Sequence, residues 1–527
     1  MPRTIITATP PTPNGDLHVG HLSGPYLGGD VCARYRRMLG EDVAFITGTD
    51  ANQTYVLSSA ENKGMDPQQM ADHYAAEILK TLQAAAISVD AFVVPDARHS
   101  AVVQAFYMAL YDRGLFIRKK KKVLWSESGR RFADFAFVSG FCPNCFSETA
   151  ESVCEACAHP VGPENIIDPR SAANPAEKLT LRDVDVLVLE LDRHRHLLGA
   201  FYGDKWGRWR PHILELVEQM MAKPLPDFAL TCVSSWGVPA PFPGFEGQVM
   251  TGWAELLPGF MRAVEGVSGV APGDGGEIWE ARSQARLIQF LGYDNAYFFA
   301  VPHIVLSLLC EPRNITADPI ITNEFYQLNN FKFSTSKNNV VLGRDAIAKR
   351  SVDQLRLYLC LNNPELQKAN FSFDGMDAVI APKFIEPWAR ITSKLNALYL
   401  RHGLGRESGR ATIAEHAGRI AHLYDALDEY YGTRRFSLQR AAEVVTQFWG
   451  WFEHEIEETG RGGDRARVTS LWGLLEAQST AMSPMLPEFA HALLAQRPEA
   501  PRPAWREIPS NLRPFRLQEE GPVRRAV

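Results

Sequence analysis

Residues 7–24 read TATPPTPNGDLHVGHLSG. A β-branched run, TIITAT (4–9), leads into a loop of proline, asparagine and glycine, after which LHVGHLSGPYLGGDVCARYRRMLG (17–40) takes up apolar spacing suited to a helix. A second strand, DVAFITGTD (42–50), follows. Strand, glycine-containing loop, helix and strand in that order predict a parallel βαβ unit, which binds its ligands at the carboxyl ends of the strands. On that reading His18 and His21 lie at a helix N-terminus, where unpaired backbone N–H groups and the helix dipole favour phosphate. An isolated H-x-G-H is a weak signal, equally compatible with a turn bearing two solvated histidines, so the remainder of the chain must decide.

The 527 residues suggest about three domains, and 46% apolar residues suffice for a sizeable core. Lysine and arginine (55) nearly balance aspartate and glutamate (61), leaving a net charge of −6, so any nucleic-acid contact must rest on a local patch. MPRTIITATPP has no long apolar segment and no run of eighteen apolar residues occurs, which predicts a cytoplasmic protein without a membrane span. Four of the eight cysteines fall within CPNCFSETAESVCEAC (142–157). Two C-x-x-C knuckles suit one structural zinc held by Cys142, Cys145, Cys154 and Cys157. Such a closed site leaves no position for water, and is expected to staple a subdomain without entering the chemistry. Cys32, Cys232, Cys310 and Cys360 are expected to pack as small hydrophobes.

The pattern changes between residues 110 and 235, through RKKKKV, the cysteine cluster, DPRSAANPAEK and LTLRDVDVLVLELD. The basic run Arg118–Lys122 reads as a solvated loop rather than a nucleic-acid contact. QARLIQFLGYDNAYFFAVPHIVLSLL (284–309) reads as a buried strand and helix of a second half-sheet. Beyond residue 381, ATIAEHAGRIAHLYDALDEYY and LQRAAEVVTQFWGWFEHEIEE predict a helical bundle. The expected architecture is therefore α/β: a Rossmann-type parallel sheet in two parts (1–110 and 236–380), a zinc-knuckle insertion (111–235), an all-α domain (381–510) and a tail (511–527).

These residues resemble the class I aminoacyl-tRNA synthetases, and among them the methionine type. PNGDLHVGH looks like the first ATP motif, GTDANQT like the end of the second strand, and CPNC with CEAC like the knuckle of the connective insertion. WGVPAP, GWAELLPGF, FKFSTSKNNVV and DQLRLYL follow in the family's order. The resemblance implies formation of an aminoacyl adenylate from an amino acid and ATP, with Mg2+ on the phosphates, and transfer to tRNA. It gives His18, His21, Lys332, Ser334 and Ser336 to phosphate-side catalysis, and Asn14, Gly15, Gly20, Asp294 and Lys332 to ATP binding. Asp50 matches the carboxylate that holds the substrate ammonium, in a pocket with Pro10, Thr12, Trp253, Leu256, Phe260, Asn295 and Phe299. No membrane or DNA partner is implied.

Several positions depart from the family pattern. The second ATP motif reads Lys332-Phe333-Ser334-Thr335-Ser336, without its second lysine, and Lys337 offers a flexible charge two positions on. Cys232 stands where an arginine is expected, Thr12 replaces an aromatic, and Phe299 aligns with the pocket histidine. Leu256 and Leu257 replace smaller or cyclic residues, and Asn295 either marks a polar substrate or bonds the local backbone. Arg390 and Lys394 occupy the tRNA-facing helix, but the stretch that would read the anticodon supplies HEIEE, whose carboxylates repel phosphate. Three functions stay open on sequence: methionine–tRNA ligation, activation of another amino acid for a non-tRNA acceptor, and a catalytically weak ligand- or RNA-binding homologue.

Overall fold

Adjacent residues along the central strands face opposite cores, which is why these strands carry consecutive apolar residues such as Ile5–Ile6, Val43–Ile46, Leu287–Ile288 and Ile320–Ile321. Ile5, Ala44, Ile46, Leu287 and Ile320 join one buried cluster, while Ile6, Phe45, Ile288, Phe290 and Ile321 join the other. Period-2 alternation with both sides covered by helices yields continuous hydrophobic runs. The computed structural model describes residues 4–133, 135–150, 152–333, 339–404 and 413–494. The tail expected at 511–527 and the end of the helical segment lie outside them.

Five strands form the central sheet in the order Ala317–Asn323, Arg286–Gly292, Thr4–Ala8, Val43–Gly48, Ala91–Val93, every neighbouring pair parallel. Ile5 lies between Leu287 and Ala44, and Ile6 between Ile288 and Phe45. The strand order reverses between Thr4–Ala8 and Arg286–Gly292. This switch point leaves a crevice at the carboxyl ends of those strands.

Between Ala91–Val93 and Arg286–Gly292 the chain leaves the sheet. Two ten-residue strands, Ile117–Ser126 and Thr180–Leu189, pair antiparallel as arms that carry the cysteine segment. The basic run is thus a strand and not a loop. Lys119 and Lys121 bond Asp227, Lys119 also bonds Glu190, and Lys122 bonds Asp183, so three of the four lysines are paired with acids. The C-terminal helices Glu386–Arg401, Ala414–Tyr431, Leu438–Gly462 and Arg465–Met482 bury Trp388, Leu427, Trp449 and Leu474 in the core that also covers one face of the sheet. Among the described residues, no helix is long and apolar enough to cross a membrane.

Candidate active site

Asp16 shapes the loop after the first strand. Its carboxylate accepts from the Leu17 N–H (2.7 Å), the Thr81 hydroxyl (2.7 Å) and Arg344 (2.9 Å), which anchors the chain where the helical turn begins. His18 caps that turn: the His21 N–H donates to His18 Nδ1 (3.3 Å), and the His18 N–H donates to His21 Nδ1 (3.2 Å). This reciprocal cap has the logic of a capping box built from two imidazoles. With Nδ1 accepting in both rings, each neutral histidine carries its proton on Nε2.

The rings stack at 3.7 Å between centroids, and Phe333 stacks on His18 at 4.7 Å. Gly20 permits this approach, since a Cβ there would meet the His18 ring at 3.0 Å. Burial, with a smaller push from His21, holds His18 well below the usual imidazole range. Burial among the cleft walls pushes His21 down to about 4 against the opposing pull of Asp16, although its ring stays open to the cavity. Both are neutral hydrogen-bond donors near pH 7.

A cavity of about 420 Å³ opens at the switch point. Pro10, Thr12, Asn14, Gly15, His18, Gly20, His21, Asp50, Trp253, Asp294 and Asn295 line it. Leu256 and Phe260 line a smaller adjoining void of about 30 Å³, which shares Pro10 and Asp50 with the main cavity. Phe299 is fully buried behind it, against His303 and Phe260. Asn295 donates to Asp294 Oδ1 (2.8 Å), a neighbouring side chain rather than backbone. Gln53, Tyr55, Ser152, Val153, Glu155 and Asn323 also line the cavity; Gln53 sits within GTDANQT, and Ser152, Val153 and Glu155 within the cysteine segment 142–157, but sequence reasoning gives none of them a site role.

Burial, reinforced by the Glu255 carboxylate, raises Asp50 well above the ordinary carboxylate range, with a Gln53 hydrogen bond opposing. Glu255 is in turn held by Asn52 (2.6 Å) and His99 (3.1 Å). The second ATP-like segment lies beside the first: the Val19 N–H donates to the Val341 carbonyl and the Gly343 N–H to the Leu17 carbonyl. Lys332 ends the short strand Phe331–Lys332. Ser334, Ser336 and Lys337 lie outside the described residues.

The four sulfurs of Cys142, Cys145, Cys154 and Cys157 lie within 4.8 Å of one another, with 3.7 Å from Cys142 to Cys157 and 3.6 Å from Cys145 to Cys154. A tetrahedron of zinc–thiolate bonds has edges of about 3.8 Å, so this donor set fits zinc. Of the other cysteines, Cys32, Cys310 and Cys360 are buried and Cys232 is half-buried. Remote from the cavity, Arg390 and Lys394 share Glu453 (2.9 and 2.7 Å), and Lys394 also pairs with Glu457.

A parallel sheet with imidazole donors at its switch point defines a nucleotide-binding α/β protein. The family model described as tRNA synthetases class I (M) matches residues 4–393, and the chain belongs to that family. A methionine–tRNA ligase of Thermomicrobium roseum is 30% identical over 524 residues, covering 94% of this chain and 88% of the relative. One from Chlorobium phaeovibrioides is 29% identical over 93% of this chain and 72% of its own length. Against the relative from Bacteroides fragilis, 30% identical, the match takes in 71% of this chain and about half (55%) of that protein. Methionyl-tRNA synthetase from Mycobacterium tuberculosis, solved bound to methionyl-adenylate, shares the fold with TM-score 0.76 at 18% identity, covering 98% and 99% of the two chains. A second structure of it, in complex with methionyl-adenylate, gives TM-score 0.74 at 19% identity over 94% and 95%.

Proposed function

We propose that this chain activates methionine with ATP as methionyl adenylate and transfers the methionyl group to tRNA. The observation that carries the reading is one cavity in which two imidazole donors, Asp50, Asp294 and Trp253 meet at the switch point of the sheet. The names of the relatives support methionine as the amino acid.

In this reading a methionine carboxylate oxygen attacks the α-phosphorus, the bond to the bridging oxygen breaks, and pyrophosphate leaves with the electron pair. Such a transfer asks the protein for positioning and charge stabilisation rather than covalent help. His18 and His21 donate from Nε2 to phosphate oxygens, while Asn14, Gly15, Gly20 and Asp294 hold ATP. Asp50 ionises to receive the substrate ammonium. Pro10, Thr12, Trp253, Leu256, Phe260, Asn295 and, from behind, Phe299 shape the side-chain pocket. Lys332, Ser334, Ser336 and Lys337 serve the leaving pyrophosphate. Mg2+ brought in with ATP would supply charge neutralisation on the bound phosphates. The catalytic sheet comprises 1–110 and 236–380, the knuckle insertion 111–235 and the helical domain 381–510. A cytoplasmic location goes with the reaction.

Arg390 and Lys394 are already bound by carboxylates, so we read this face as contributing little to anticodon recognition. The test is amino-acid-dependent ATP–pyrophosphate exchange across a panel of amino acids, followed by charging of methionine tRNA. Exchange specific for methionine and charging are expected. Exchange with another amino acid alone, or none, overturns the reading.

A further inference from the structure

Trp253 is held from three directions. Its ring stacks on Phe298 at 3.9 Å with the planes 8° apart, its carbonyl contacts His303 Nε2 (2.9 Å), and its Nε1–H donates to Ser152 Oγ (2.7 Å). The first two fix the plane of the indole and the backbone beneath it. The third fixes rotation within that plane, and it comes from the cysteine knuckle.

Ser152 and Val153 form a two-residue strand paired with Pro160–Val161, between Cys145 and Cys154. Ser152 adopts φ +89°, a region in which a residue bearing Cβ is uncommon and strained. The bond that a strained serine makes to Trp253 is therefore placed where the ring meets the cavity, and Ser152 lines that cavity itself.

We propose that Ser152 is a positioning residue through which the four-cysteine knuckle sets the orientation of Trp253 and thereby the affinity for the amino acid. This rests on the reading of the cavity as a methionine pocket. The knuckle does no chemistry. It holds one wall of the pocket in register, and a wall that loses this tether binds the amino acid less tightly while the phosphate side is unchanged.

The test uses the full-length, zinc-loaded protein with Ser152→Gly, which removes the acceptor and relieves the strained φ. Calorimetric methionine binding should weaken about five- to tenfold, the effect of one hydrogen bond. KM for methionine should rise equally, with kcat and KM for ATP within about twofold, zinc content unchanged and thermal stability undiminished. In a Trp253→Phe background, which lacks the donor, Ser152→Gly should have no further effect on methionine binding. Unchanged methionine affinity in the single variant, or an equal loss in both backgrounds, overturns the proposal. A wild-type protein that binds no methionine overturns the functional reading and the proposal together.

Discussion

Each of His18 and His21 spends Nδ1 on a backbone N–H, which leaves Nε2–H as the group that can meet phosphate. The two amide replacements for histidine separate these duties, since glutamine puts an N–H near Nε2 and asparagine fills only the Nδ1 position. We expect His21→Gln to keep most of the adenylate formation seen in pyrophosphate exchange, and His21→Asn and His21→Ala each to lose at least about tenfold, or about 1.4 kcal/mol. Equal losses in the glutamine and alanine variants would remove the donor role. Asp50 sets function against stability. Burial beside Glu255 makes the folded chain hold this proton more tightly than the unfolded chain does. The group therefore favours the fold below its unfolded pKa of about 4 and penalises it as pH rises through the higher folded value. Asp50→Asn removes the penalty. Its melting temperature should exceed that of wild type at pH 8, with the gap closing as pH is lowered toward about 4, while methionine-dependent exchange is lost. A variant that melts below wild type at pH 8 would show that the buried carboxylate is not a cost.

At the scale of elements, the knuckle links metal, strand and pocket. Chelating the metal should lower the melting temperature, because four thiols converge where no large apolar core replaces the bonds. The fraction still folded by circular dichroism should keep kcat within about twofold, and a folded but inactive sample would give the metal a direct chemical part. Strands with two buried faces are legible in sequence: TIITAT, DVAFITGTD and RLIQFLG each hold consecutive apolar or β-branched residues and become central strands. RKKKKV is not, since its partner Thr180–Leu189 is remote in sequence and the acids that neutralise it arrive through tertiary folding. The site follows the same division. His18, His21, Asp50 and Asp294 belong to contiguous motifs and meet in the cavity, whereas Ser152 and Asn323 reach it only through folding. Phe299, aligned with a pocket position, is fully buried and meets the pocket through Phe260, a contact that the sequence alone does not reveal.

For the molecule as a whole, one buried arginine, charge-paired within the sheet domain, ties that domain to the C-terminal helices through the carbonyls of Pro484 and Met485. Arg356 and Asp30 bond at 2.6 Å with almost no exposure, and Asp30 also accepts from Ser88 and Arg34. Arg356 completes its donors on the carbonyls of Ala85 (3.0 Å), Pro484 (3.0 Å) and Met485 (2.7 Å), so three distant parts of the chain converge on one guanidinium. Burial alone would raise Asp30, but Arg356, Arg34 and the Ser88 hydrogen bonds outweigh it and hold the carboxyl below its ordinary value. Its contribution to stability is present above the unfolded carboxylate pKa and is lost as pH falls through the lower folded one. Removing Arg356 leaves the buried Asp30 carboxylate with Arg34 as its remaining cation, so Arg356→Met should cost about 3 kcal/mol in urea unfolding near pH 7. The double variant Asp30→Leu with Arg356→Met should cost less than the sum of the single changes, because the second removes the charge that the first leaves uncompensated. The same logic gives the pH dependence: protonating Asp30 removes the charge that Arg34 alone under-compensates, so the penalty of Arg356→Met should shrink as pH falls through the carboxylate range. A penalty independent of pH would instead assign the domain junction to the three carbonyl bonds and the packing of the arginine stem.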